Sequence, residues 1–307
     1  MRFTVQYPLA VPNCAAELRG GEPMRRFARA AEQAGFSALA FTDHPAPSEK
    51  WVRNGGHEAF DLTTALGFCA AATSSIALMP YAMILPLRNP LLAAKAIATL
   101  DSISEGRVIL AAAVGYLRSE FAAVGADFTE RNELFDEALI AMRGIWSGED
   151  FRFEGRHFTA LGQSALPLPP RRAEIPVWIA GNSARARQRA ATVGEGWAAL
   201  LIGEDKAATV RSAALPTLEE LAVAIADLER RCEEAGRDPA LVTIQLEAAQ
   251  SAVLLGGGDL EEHRDFLGRA AGLGVSWFVL DVPATSPAEA TEALERYGAE
   301  VIAAAGR

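Results

Sequence analysis

The fold is decided by residues 90–146, PLLAAKAIATLDSISEGRVILAAAVGYLRSEFAAVGADFTERNELFDEALIAMRGIW. The stretch opens with an apolar helix over 90–103 and then enters VILAAAV (108–114). That run has no polar alternation, so it reads as a strand buried on both faces, as in parallel sheets covered by helices. Leu134, Phe135, Leu139, Met142, Ile145 and Trp146 then recur at helical spacing, which makes 129–146 the clearest helix. Helix, buried strand and helix in succession are the unit of a parallel α/β fold.

The pattern extends in both directions. Apolar runs at 3–7, 37–41, 76–85, 176–180, 197–202, 242–246 and 275–280 read as further strands. Helices are expected over 23–34, 62–73, 184–192, 218–234 and 260–271. Thr217 and Glu220 have capping-box spacing, and a last helix starts with Ser286 as N-cap, Pro287 at N1 and Glu289 at N3. Three junctions echo one another: AAEQAGFSALAF, ATVGEGWAALLI and AAGLGVSWFVL. Each is an Ala-rich helix end, a glycine suited to a left-handed cap (Gly35, Gly194, Gly274), and a buried strand. Eight such strands imply an α/β chain of the (β/α)8 TIM-barrel class, a single domain over 1–307 with loop insertions at the C-terminal mouth. A doubly wound sheet would bring a phosphate loop after its first strand, and PLAVPNCAAELRG is not one. Residues 150–172, with FRFEGRHF and ALPLPPRR, read as a hairpin-bearing insertion over the mouth.

Composition narrows the function. Lys and Arg number 29 and Asp and Glu 39, a net charge of −10. An acidic chain is a poor non-specific nucleic-acid binder, since that affinity comes from neutralising phosphates. Cys14, Cys69 and Cys232 are scattered and odd in number, which points to a reducing compartment without disulfides. MRFTVQYPLAVPN is no secretory leader, and no apolar run reaches membrane-spanning length. The expectation is a cytoplasmic protein with no membrane partner. The four histidines, His44, His57, His157 and His263, form no metal-ligand pair, so no metal is expected.

In a barrel the chemistry lies at the C-terminal ends of the strands. His44, in the loop after strand two, is the sharpest candidate, because an imidazole exchanges protons near neutral pH. Its alternative is a loop residue bonded to Asp43 or to backbone. Gly181, Asn182 and Ser183 stand where helix amides receive a phosphate, or where they cap an ordinary helix. Arg88 offers a bidentate fork for a carboxylate or phosphate of a substrate, or for a structural ion pair. Trp51 and Tyr116 are placed to cover a flat ring or to edge the core. His263, beside Leu260, Phe266 and Leu267, reads as structural.

These residues together resemble the luciferase-like family of flavin- and deazaflavin-dependent oxidoreductases. The resemblance is carried by LRNP (87–90), LDSISEGR, VGYLRSEF and ERNELFDE in order, by IPVWIAGNSARARQRAATVGEGWAAL, and by AEQAGFSALAFTDH. It covers nearly the whole chain and is strongest to the branch that uses coenzyme F420. It implies hydride transfer between F420 and a small organic substrate by a homodimer. Asp43 and His44 would lie beside the cofactor ring. Tyr81, Ala82 and Met83 would back it, with a cis peptide at Tyr81–Ala82. Gly115 and Tyr116 would line the pocket, and Ala180, Gly181, Asn182 and Ser183 would hold the phosphate. Trp51 and Arg88 would meet the substrate. Alternatives from the same family are an FMNH2-dependent monooxygenase and a non-catalytic flavin-binding or partner subunit. A barrel isomerase or aldolase for a phosphorylated substrate is a third class.

Overall fold

The computed structural model describes residues 1–11, 13–256 and 258–305. Its strands are β1 (Arg2–Gln6), β2 (Ala38–Phe41), β3 (Ala77–Pro80), β4 (Met83–Ile84), β5 (Leu110–Ala113), β6 (Phe151–Glu154), β7 (Thr159–Gln163), β8 (Val177–Ala180), β9 (Gly196–Leu200), β10 (Thr243–Glu247) and β11 (Trp277–Leu280). The chain forms two compact units, residues 1–40 with 176–307 and residues 41–175.

In the first unit the strands run parallel in the order β2, β1, β11, β10, β9, β8. Helices return the chain between them, at Gly21–Gln33, Ala184–Val193, Leu218–Glu234 and Leu260–Gly272, and Pro287–Tyr297 follows the last strand. The caps foreseen in the sequence form: Thr217 Oγ1 accepts from the Glu220 amide at 3.2 Å and Ser286 Oγ from the Glu289 amide at 3.1 Å. Gly35 and Gly274 take positive φ at their helix ends, as expected. Gly194 does not: its φ is −95°. It is needed for closeness instead, since a Cβ would stand 3.0 Å from Ile179 Cγ1 and 3.1 Å from the Ala190 Cα.

In the second unit β4 pairs parallel with β5, and Leu78 bridges Val108 in the same sense. The expected strand over 76–85 is split into β3 and β4, and the Tyr81–Ala82 peptide between them is cis. The motif LRNP continues from this point. Asn89 Oδ1 caps the helix Pro90–Ile103 by accepting from the Leu91 amide at 2.9 Å, and Pro90 fills N1, where no donor is needed. Within VILAAAV, Val108, Leu110, Ala111 and Ala112 have no exposed surface, and Ile109, Ala113 and Val114 are half-buried. The 150–172 segment does form a hairpin, β6 antiparallel to β7. It is anchored away from the strand ends, however. Glu137 on the helix Arg131–Ser147 accepts from the amides of Arg156 and His157, and Arg171 pairs at 2.6 Å with Asp101 near the end of Pro90–Ile103. Among the described residues no helix is long and apolar enough to cross a membrane.

His263 is structural, as its apolar neighbours implied. It is buried, with Nε2 2.8 Å from the Tyr297 hydroxyl and its ring edge-on to Phe278. Burial pushes its pKa from the ordinary 6.5 down to about 4. Between those values the unfolded chain binds a proton that the folded chain refuses, so stability is lost as pH falls from about 6.5 to about 4. In His263→Gln, which keeps a polar partner for Tyr297, the urea midpoint should fall less steeply across that window than in the wild type.

Candidate active site

The site is built in the second unit, from the segment that follows Phe41 and from the ends of β4 and β5. Asp43 and His44 leave β2 side by side and are held by different partners. The buried Asp43 carboxylate receives both Arg88 guanidinium nitrogens at 2.6 Å each and the Ile84 amide at 2.7 Å. Burial pushes this carboxyl up, and Arg88 and the Ile84 amide pull the other way. The bidentate carboxylate that Arg88 recognises is thus in its own chain. The fork is committed to fixing the loop rather than open to a substrate.

His44 points its Nδ1 at Glu120 Oε2, 3.1 Å away, and the other oxygen of Glu120 accepts from the Ala46 amide at 3.2 Å. Both side chains are buried, at 7% and 1% exposure. A carboxylate only accepts, so the imidazole carries its proton on Nδ1. Nε2 then carries the lone pair, and it has no partner among the described residues. Glu120 lies on the helix Arg118–Val124, which follows β5. Its neighbour Phe121 packs with Ile84 and Leu87, which anchors that helix to the β4 end.

An aromatic shell surrounds His44. Ring centroids lie at 4.4 Å for Trp51, 5.1 Å for His57 and 5.9 Å for Tyr116. Trp51 rides on the short helix Glu49–Arg53, capped by Ser48. The Trp51 indole N–H donates to the Tyr116 oxygen, and burial pushes the Tyr116 hydroxyl up to about 12, so it stays neutral. Met83 on β4 is buried, and the Tyr81 amide donates to the Phe41 carbonyl at 2.8 Å. Gly115 has φ +77°, and a Cβ there would meet Ile84 Cγ2 at 2.6 Å and Phe121 Cε2 at 2.9 Å.

The Ala180–Ser183 turn belongs to the first unit. Ser183 Oγ caps Ala184–Val193 by accepting from the Ala186 amide at 3.1 Å. Gly181 has φ +119°, and a Cβ there would make only an ordinary contact, with the Ala186 Cβ at 3.9 Å. The Asn182 side chain is consumed within the unit: its amide donates to the Leu200 and Ala213 carbonyls at 2.7 and 3.0 Å, and its oxygen accepts from Leu200. Arg187 is likewise held, by Asp227 and the Asn182 carbonyl at 2.7 Å each. An anion here would meet backbone amides and the dipole of a helix of 10 residues. Among the described residues no cluster of three or more His, Cys, Asp or Glu could hold a metal ion.

Sequence reasoning assigned no role to Glu120 or His57. Glu120 had a signal, its place in the VGYLRSEF segment at a strand end. His57 had none, because only the folded loop brings it to His44.

Two substitutions test this arrangement. Arg88→Ala leaves the Asp43 charge buried and unpaired, and unfolding stability should fall by about 3–5 kcal/mol. Gly115→Ala combines a left-handed backbone with overpacking, and should cost roughly 2–4 kcal/mol. Urea denaturation followed by circular dichroism measures both.

Comparison with known proteins agrees with this architecture. The chain is 32% identical over 190 residues to an F420-dependent glucose-6-phosphate dehydrogenase of Rhodococcus erythropolis, covering 60% of this chain and 54% of that protein. It is 34% identical over 179 residues to an FMNH2-dependent dimethylsulfone monooxygenase of Pseudomonas fluorescens, 56% and 46% of the two chains. The matches thus span about half the length of these relatives. Among solved structures, a monooxygenase from Streptomyces bottropensis aligns with TM-score 0.82 at 20% identity, over 99% of this chain and 100% of that one. The F420-dependent tetrahydromethanopterin reductase of Methanopyrus kandleri aligns with TM-score 0.74 at 17% identity, over 99% of both. The fold class is the α/β TIM barrel of these proteins. A family model described as luciferase-like monooxygenase matches residues 9–304, and the chain belongs to that family.

Proposed function

We propose that the protein is an F420-dependent oxidoreductase that moves hydride between the deazaflavin and a small organic alcohol or carbonyl compound, with His44 moving the proton. The observation that carries this reading is the buried His44–Glu120 pair, with Nδ1 tied to a carboxylate and Nε2 open. Bound F420 would supply a ring carbon that gives or takes hydride and barely reacts with oxygen. His44 Nε2 takes the hydroxyl proton as the alcohol is oxidised, or returns it to the carbonyl oxygen in reduction. Glu120 keeps the ring in the tautomer that leaves Nε2 basic, and stabilises the imidazolium that forms. Asp43 and Arg88 are positioning residues that fix the loop from which His44 projects. Trp51 and Tyr116 exclude water and cover a flat ring, and Met83 backs it. The Gly181 turn and the amides at the start of Ala184–Val193 fit a phosphate.

The preference for F420 is supported by relatives of that description, among them a hydroxymycolic acid dehydrogenase of Mycobacterium tuberculosis, 34% identical over 179 residues. The dimethylsulfone monooxygenase at the same identity favours a second reading, FMNH2-dependent oxygenation.

Fluorescence titration of the apo protein with F420 and with FMN, at equal ionic strength, decides between them. F420 should bind, and His44→Ala should lower turnover by about 10²–10⁴-fold while weakening F420 binding far less. Tight FMN binding without F420 binding would overturn the proposal.

A further inference from the structure

His57 has no part in the proton movement assigned to His44, yet its ring is built into the same corner. It packs edge-on to His44 at 5.1 Å and 70°, and to Trp51 at 5.3 Å and 69°. The loop that carries it is fixed by packing: a Cβ on Gly56 would stand 2.5 Å from the Trp51 ring.

The hydrogen bonding settles which nitrogen is free. His57 Nδ1 lies 3.0 Å from the Glu58 carbonyl oxygen, which can only accept. The proton of the neutral ring is therefore on Nδ1, and Nε2 carries a lone pair with no partner among the described residues. Burial holds the His57 pKa below its usual value. The neighbouring His44 adds to that effect and Glu120 opposes it. The ring thus remains an acceptor at neutral pH.

Two bare Nε2 positions then stand on neighbouring imidazoles, that of His44 and that of His57. A single hydroxyl has one proton and satisfies only one of them. An acceptor left unpaired when water is expelled costs binding energy, so a ligand with two donors is preferred. We propose that His57 is a specificity-determining residue that accepts a hydrogen bond from a second hydroxyl or N–H beside the reacting carbon. The site then favours vicinal diols and similar bifunctional alcohols over simple alcohols. This rests on the reading of His44 as the acceptor for the reacting hydroxyl.

The test uses nitrogen NMR of the full-length chain labelled at histidine, with propylene glycol and isopropanol as probes, with and without F420. His57 Nε2 should resonate as a bare nitrogen and shift on addition of the diol but not of isopropanol. Half-saturation by the diol should come at about tenfold lower concentration. His57→Asn keeps a donor for Glu58 and loses the Nε2 acceptor, so the preference for the diol should vanish. His57→Gln, with an amide oxygen near the Nε2 position, should retain part of it. A protonated Nε2, an equal or absent response to both probes, or an unchanged preference in His57→Asn would overturn the assignment. A diol shift that persists in a protein unable to bind F420 would sink the cofactor reading alone.

Discussion

The corner around His44 depends on one buried ion pair. Asp43 is taken out of water at the end of a strand, and a lone carboxylate there would cost several kcal/mol. The Arg88 fork and the Ile84 amide meet that cost with three short hydrogen bonds. The pair ties the segment that carries Asp43 and His44 to β4, just past the cis peptide at Tyr81–Ala82. A lysine would bring charge without the planar two-point fit, so the geometry would loosen even though the sign matched. The adjacent residue, Asn89, caps the helix that follows, so LRNP joins a clamp, a cap and a helix start in four consecutive positions.

What separates candidate chemistry from scaffolding is whether polar atoms are already used. Asn182, Arg187 and Arg88 carry residue types that bind anions, and the structure commits the groups named above to internal partners. His263 is bonded to Tyr297 and held neutral by burial. His44 and His57 differ from these. Each spends one ring nitrogen on a fixed acceptor and keeps the other open, an arrangement suited to proton transfer and to hydrogen-bond reading.

The relatives divide between F420 and FMNH2 as named cofactors. The imidazole held by a carboxylate and the aromatic rings around it do not depend on what lies beyond a cofactor's phosphate. A helix N-terminus favours a phosphate whatever follows it, so the start of Ala184–Val193 does not separate the two cofactors either. The difference between the two lies in the long acidic tail of F420, so affinity rather than local geometry discriminates.

Local and periodic features were legible in the sequence. The helices Pro90–Ile103 and Leu218–Glu234 end where their apolar spacing ends, and Ser286–Pro287 opens a helix because cap and φ preference are properties of neighbouring residues. The buried character of VILAAAV needed only its lack of alternation. The cis peptide at Tyr81–Ala82 came through resemblance, with no local signal of its own, whereas His44 was singled out by its residue type and its place after strand two. Tertiary structure alone decided who pairs with whom: His44 with Glu120, 76 positions on, and Asp43 with Arg88, 45 positions on. It also moved the 150–172 segment onto the helices Pro90–Ile103 and Arg131–Ser147, and it brought His57 beside His44. These are long-range matches of donors and acceptors, and no composition or periodicity encodes them. They exist only once burial removes water as the competing partner.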